Sequence, residues 1–184
     1  TGVASLESNF KQTEEYSYAR NNFDIGNIVV SPNTYVLGLK PNLNTTIQQT
    51  ETKVIDPSDI ANDTFNLVEV TDNYTNVRID IVSFPLYLRT KSVNKGKARA
   101  KATIKVSDGI NTYNLYQVSS ADNSENTFSI PALTYTFPNV PIGRKIRVFI
   151  HFAFDNRRGS NSGSMDVEIK INNFELAITT TKTI

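Results

Sequence analysis

The chain has 184 residues, 19 basic and 18 acidic, for a formal charge of +1, with one histidine, no cysteine and no tryptophan. This length suits one domain that buries most of its apolar surface unaided. The composition excludes disulfides, zinc–thiolate sites, iron–sulfur clusters, thiol nucleophiles and any multi-histidine metal site, and its near-neutral charge implies no global polyanion partner.

In chain order, residues 1–20 come first as a loose N-terminal arm or the remnant of a helical stalk, because Val3, Leu6, Phe10, Thr13 and Ser17 recur at spacings of three and four. The opening Thr1, with no signal-peptide pattern behind it, is read as the start of a processed product or excised fragment. Residues 21–184 form the main domain. Phe23–Val30 and Tyr35–Leu39 are expected strands around a Ser31-Pro32-Asn33 turn, and residues 41–64 a polar loop with a short strand near Thr52–Ile55. Val77–Leu88 is a strand that bends or meets a sheet edge at Pro85, and Phe128–Phe137 does the same at Pro131.

The clearest alternation sets Ala98, Ala100, Ala102, Ile104 and Val106 against Arg99, Lys101, Thr103, Lys105 and Ser107. Asp108-Gly109 then supplies the central pair of a tight hairpin, and counting outward sets Ile104 against Tyr113 and Ala102 against Leu115. Ile146, Val148, Ile150, Phe152 and Phe154 alternate with Arg147, Phe149, His151 and Ala153, a central strand because Phe149 makes its second face partly apolar. Arg157 through Ser164 is a polar loop. Met165, Val167, Ile169 and Ile171 alternate until the phase flips at Asn172-Asn173, which fits either a tight hairpin or one bulged strand. The fold class is all-β, a two-sheet antiparallel β-sandwich of jelly-roll kind. No segment is long and apolar enough for a membrane span, and no membrane insertion is expected.

Catalytic chemistry finds little to work with. His151 lies mid-strand between Ile150 and Phe152 and reads as a half-buried strand histidine rather than a general base. Asp56-Pro57-Ser58-Asp59 and Asp122-Asn123-Ser124-Glu125 offer oxygen ligands, but match no calcium-loop spacing and read as turns. Asp166 and Glu168 share a strand face that should be solvated, a weak basis for acid–base work. The three glycosylation-pattern sites at Asn44, Asn62 and Asn73 fall within the roughly four that so much Asn, Ser and Thr would give by chance. No glycine-rich run follows a strand and opens a helix. No catalytic, cofactor-binding or metal residue is assigned, no cofactor is expected, and the chain is read as a non-enzyme.

One charge feature stands out. Residues 89–107 hold Arg89, Lys91, Lys95, Lys97, Arg99, Lys101 and Lys105 and no acid, leaving 12 basic against 18 acidic residues elsewhere, a balance of −6. Lys97, Arg99, Lys101 and Lys105 should project from one strand face, about 7 Å between successive positions and so within a Debye length. Such a face can bind an anionic glycan, a cell-wall polyphosphate or nucleic acid, and an anionic glycan or a cell-surface receptor is the partner expected of it. It can also guard a sheet edge, or meet an acidic patch on a neighbouring subunit.

The stretch from Asp166 to Leu176 resembles the closing strand of carbohydrate-binding jelly rolls, although tryptophan, a common sugar platform, is missing. In its lack of cysteine, its abundance of Asn and Thr, its short strands and its N-terminal segment, the chain resembles distal domains of phage tail fibres and baseplate receptor-binding proteins. That resemblance implies a non-enzymatic surface module of a virion, acting in structure or host attachment, assembled as a homotrimer and located in the virion or outside the cell. The first resemblance implies instead a carbohydrate-binding module of an extracellular protein.

Overall fold

The computed structural model describes residues 7–14, 22–30, 33–38, 54–55, 68–93, 96–157, 163–171, 174 and 176–183. Every regular element among them is a strand: β1 (Glu7–Glu14), β2 (Asn22–Val30), β3 (Asn33–Gly38), β4 (Val54–Ile55), β5 (Val68–Glu69), β6 (Tyr74–Ile81), β7 (Phe84–Ser92), β8 (Lys97–Ser107), β9 (Thr112–Ser119), β10 (Glu125–Ile130), β11 (Leu133–Val140), β12 (Lys145–Arg157), β13 (Gly163–Ile171) and β14 (Leu176–Thr183). They form three antiparallel sheets, ordered β1-β14-β6-β11, β10-β7-β13-β2 and β4-β3-β12-β8-β9, with β5 on β12. The fold is all-β and antiparallel, as the alternation of the sequence requires.

The first two sheets are continuous across a corner. Ile81 of β6 pairs with Leu133 and Leu176, and a few residues on, Phe84 of β7 pairs with Ile130 and Leu86 with Ile171. Three ribbons, β6/β7, β11/β10 and β14/β13, therefore cross side by side from one sheet to the other. Bends of this sort let strands switch sheets in a sandwich. The expected strands Val77–Leu88 and Phe128–Phe137 each divide here, at Val82-Ser83 and Pro131-Ala132. Pro85 is tolerated because the pairing of β13 with β7 ends at Leu86, so no neighbour on that side needs its missing N–H. The same crossing corrects one reading of the 165–178 segment. β13 and β14 lie in different sheets, so they do not form a tight hairpin.

One apolar core draws on all three sheets: Val77, Ile79 and Ile81 from β6, Leu86 and Leu88 from β7, Ala98 to Val106 from β8, Ile146 to Phe154 from β12, and Met165 to Ile171 from β13. In the third sheet, size is matched across the ladder. Ala100 faces Phe154 and Ala102 faces Phe152, while Ile104 faces Ile150 and Val106 faces Val148. The small residues of β8 thus meet the large residues of β12, a strand 50 residues away, rather than those of their hairpin partner.

That hairpin exists, with a corrected register. Val106 pairs with Tyr113 and Lys105 with Asn114, and a bulge then sets Ile104 against Tyr116 and Ala102 against Val118. The reason is the turn. Asp108 is not a central residue but closes the loop, its N–H donating to the Asn111 carbonyl at 3.2 Å. Its Oδ1 accepts from the N–H groups of Ile110 at 2.9 Å and Asn111 at 2.8 Å. The tip is Gly109-Ile110, with φ +96° at Gly109, the positive value a glycine-first tip requires.

A second correction concerns the expected N-terminal arm. Residues 7–14 form β1, paired along their whole length with β14 from Glu7↔Thr183 to Glu14↔Leu176. A backbone ladder onto the threonine-rich end of β14 needs little apolar patterning, so the three-and-four spacing there was no guide. The Ser31-Pro32 part of one expected turn, most of the 41–64 loop, the Asp56–Asp59 cluster, the tip of the Arg157–Ser164 loop and the Asn172-Asn173 flip lie outside the described residues. The short strand expected near Thr52–Ile55 is β4.

A Cβ on Gly109 would lie 3.2 Å from the backbone N and O of Lys145, besides forcing a side chain into the left-handed region. Gly109→Val should therefore cost about 1 kcal/mol or more. Urea denaturation checks this, and an unchanged midpoint would contradict the tip described here.

Candidate functional site

The residues singled out for charge lie where the alternation puts them. Lys97, Arg99 and Lys101 are exposed and Lys105 is half-buried, while Ala98, Ala100, Ala102, Ile104 and Val106 on the opposite side of β8 are buried. The strand is not an edge. β12 flanks it on one side and β9 on the other. Past the end of β9 the ladder continues, with Ser120 N–H donating to the Ala100 carbonyl at 2.8 Å and Asn123 N–H to that of Ala98 at 2.7 Å. The cations therefore guard no free edge.

Cross-strand pairing sorts them. Arg99 lies opposite Asp155 of β12 and binds it, Nε to Oδ2 at 3.0 Å. The pair is half-exposed, so it contributes little stability but neutralises that position. Lys101 lies opposite Ala153 and Ser119, and Lys105 opposite Phe149 and Asn114, with no acid across from either. Arg89, at the start of the basic segment, belongs to β7 and reaches Glu168 of β13 at 4.0 Å. Glu168 also meets Lys170 at 3.8 Å. The sheet thus balances the β7 part of the segment with acids of β13, and leaves Lys101 and Lys105 without such a neighbour. Those ion pairs also occupy Glu168, one of the two carboxylates considered for acid–base work.

His151 projects from β12 opposite Thr103, midway between Lys101 and Lys105. It is half-buried, as expected of a strand histidine. Burial lowers its pKa below the ordinary 6.5, and the charges of Lys105 and Lys101 lower it further. Thr103 is buried beneath, its hydroxyl donating to Gln117 Oε1 at 3.2 Å. The same outer face changes character along β12: Phe149 and Arg147 are buried there too. At the other end it opens into a cavity of about 350 Å3, lined by Arg99, Lys101, Ser119, Ser120, Ala153 and Asp155 among others.

The Asp122–Glu125 cluster is a turn, not a cation loop. Asn123 adopts φ 45°, and its Oδ1 accepts from Ser92 N–H at 2.9 Å and Ala98 N–H at 3.2 Å while its Nδ2 donates to the Gly96 carbonyl at 2.9 Å. Its side chain ties the β7–β8 connection to the start of β10. Among the described residues no group of three His, Asp or Glu converges as a metal would need. The exposed Tyr113, which a sugar could stack on, instead stacks on the half-buried Tyr135 at 4.8 Å between centroids and closes the gap between β9 and β11.

Sequence reasoning placed the cations but missed Asp155, Ser119, Ser120 and Gln117 as their neighbours. No local signal marks these residues; only the pairing of strands distant in the chain brings them together.

No family model matches the chain, and no curated protein matches it. In solved structures it is similar to a chain of the Cowpea Mosaic Virus empty virus-like particle, at 8% identity and TM-score 0.38, over 94% of this chain and 87% of that one. It is also similar to a chain of Broad Bean Stain Virus, at 12% identity and TM-score 0.30, over 100% and 93%. A third is from infectious bursal disease virus Gx strain, at 10% identity and TM-score 0.27, over 98% and 40%. Scores this low carry no argument about function.

His151 gives the site a pH signature. Because its folded-state pKa is lowered, the unfolded chain takes up that proton first as pH falls. The stability contributed by neutral His151 is present above the ordinary 6.5 and is lost as pH falls below it, until the folded form is protonated as well. Denaturation midpoints measured from neutral pH down to the carboxylate range should fall for the native chain and fall less for His151→Gln. Identical profiles would contradict the arrangement.

Proposed function

We propose that the chain is a non-enzymatic structural module of a virion surface that assembles with copies of itself, with three copies per assembly, and serves in particle structure or host attachment. The observation that carries this reading is the segregation of charge on a sandwich with broad sheet faces. Residues 1–72 hold ten acidic and four basic residues, a balance of −6, while residues 89–107 carry +7 and residues 108–184 hold seven of each sign. Lys101 of β8 is exposed and Lys105 half-buried, with no acid opposite either in the ladders with β12 and β9. A chain whose segments carry unlike charge can attract its own copies, and repeated contact between unlike surfaces forms a ring where the rotation closes. A sheet face whose carboxylate, Asp155, is held by Arg99 suits contact more than acid–base catalysis.

A carbohydrate-binding module is the second reading, favoured by the polar cavity between Arg99, Lys101, Ser119 and Asp155. The two separate by mass. Light scattering should give a multiple of 20.5 kDa, falling toward a single chain as salt screens the contacts. A 20.5 kDa monomer at every concentration and at low salt would contradict the assembly reading.

A further inference from the structure

We propose that Lys101 and Lys105 of β8, with His151 of β12 between them, form a binding site for the sulfate or carboxylate groups of an acidic glycan. The inference goes beyond the assembly reading and stands whether or not the chain self-associates.

Lys101 and Lys105 are four residues apart on one face of one strand, about 13 Å along it. Their long stems let both ammonium groups lean over the position between them. That position is Thr103, buried and committed to Gln117, with His151 directly across the ladder. An anionic group seated there meets an ammonium from either side and an imidazole N–H from below. Among the described residues, Arg99 binds Asp155 one position beyond Lys101, and Lys101 and Lys105 have no acid opposite.

Cations held together without a counter-charge repel one another, and His151 registers that repulsion as a lowered pKa caused, after burial, by Lys105 and then Lys101. A bound anion relieves it. Toward β9 the face continues into the cavity lined by Ser119 and Ser120; the exposed Ser119 hydroxyl suits the hydroxyl-rich remainder of a sugar, while Ser120 is buried with its Oγ accepting from Ala100 N–H at 2.8 Å. A nucleic acid is a poorer fit. The described part of the face has no Phe, Tyr or Trp exposed for base stacking, and two cations without counter-charges are few for a phosphate backbone.

Because His151 is the only histidine, its imidazole proton resonance reports this position alone. The experiment follows the pH titration of that resonance by NMR in the native chain, in Lys91→Gln on β7 of another sheet, and in the double variant Lys101→Gln with Lys105→Gln. Each is measured alone and with a heparin hexasaccharide, inorganic sulfate or a poly-glutamate peptide, at low and high salt. Native His151 should titrate below 6.5 when free and shift upward with the hexasaccharide at low salt, reverting at high salt. The double variant should titrate higher when free and bind the hexasaccharide at least tenfold more weakly, with the rest of its spectrum native, while Lys91→Gln should behave as native. A native titration unmoved by saturating hexasaccharide would overturn the proposal, as would a double variant that responds like the native chain. So would an equal response to sulfate alone, which means an anion hole with no use for a sugar. A response to poly-glutamate, or to protein concentration with no ligand, matched by none to hexasaccharide, would assign the face to acids of a second copy instead.

Discussion

Along the middle of the third sheet, β8 is small where β12 is large: Ala100 under Phe154 and Ala102 under Phe152. Those rings fill the core only because the alanines leave room, and interiors are packed too densely for either strand to turn over without opening a void on one side and a clash on the other. With the even-numbered residues of β8 committed inward, the odd-numbered ones must face out. The position of every cation discussed above is therefore a consequence of apolar packing on the reverse side of the strand. The same constraint sets His151, outward on β12 between inward Ile150 and Phe152, opposite Thr103.

The alternation of β8 and β12 could be read from the sequence because period two is a local property, visible in any window of a strand with one buried face. So could the exposed side of Lys97, Arg99 and Lys101. What could not be read is whatever depends on partners. The small-to-large match was sought in the hairpin, since the hairpin is the partner that sequence makes visible, whereas the large residues came from β12. The tip of that hairpin slipped by one position because Asp108 spends its carboxylate on the loop N–H groups, a choice that Asp-Gly alone does not announce. The division of ribbons at Val82-Ser83 and Pro131-Ala132 was marked by prolines, but that three ribbons cross there together is a property of the sheet. β1 was missed because residues 7–14, Glu-Ser-Asn-Phe-Lys-Gln-Thr-Glu, show no period-two apolar alternation to find.

The candidate site inherits this mixture. Its cations were legible as a run without acids. Its character was not, because Asp155 meets Arg99 and Glu168 meets Arg89 only after folding, leaving Lys101 and Lys105 with no acid opposite among the described residues. A face so arranged is under mild electrostatic tension that an external anion, from a glycan or from another copy, relieves. The proposed assembly and the proposed anion binding draw on one physical source, presented by the packing of Ala100 beside Phe154 and Ala102 beside Phe152.

That packing is testable by enlarging one residue on each side of β8. Ala102→Leu adds volume where Phe152 lies opposite and should destabilise by about 1–3 kcal/mol in denaturant unfolding. Lys101→Leu, one residue away on the open face, should change stability by no more than about 0.5 kcal/mol. A destabilising Lys101→Leu beside a neutral Ala102→Leu would place the strand the other way up and contradict the account.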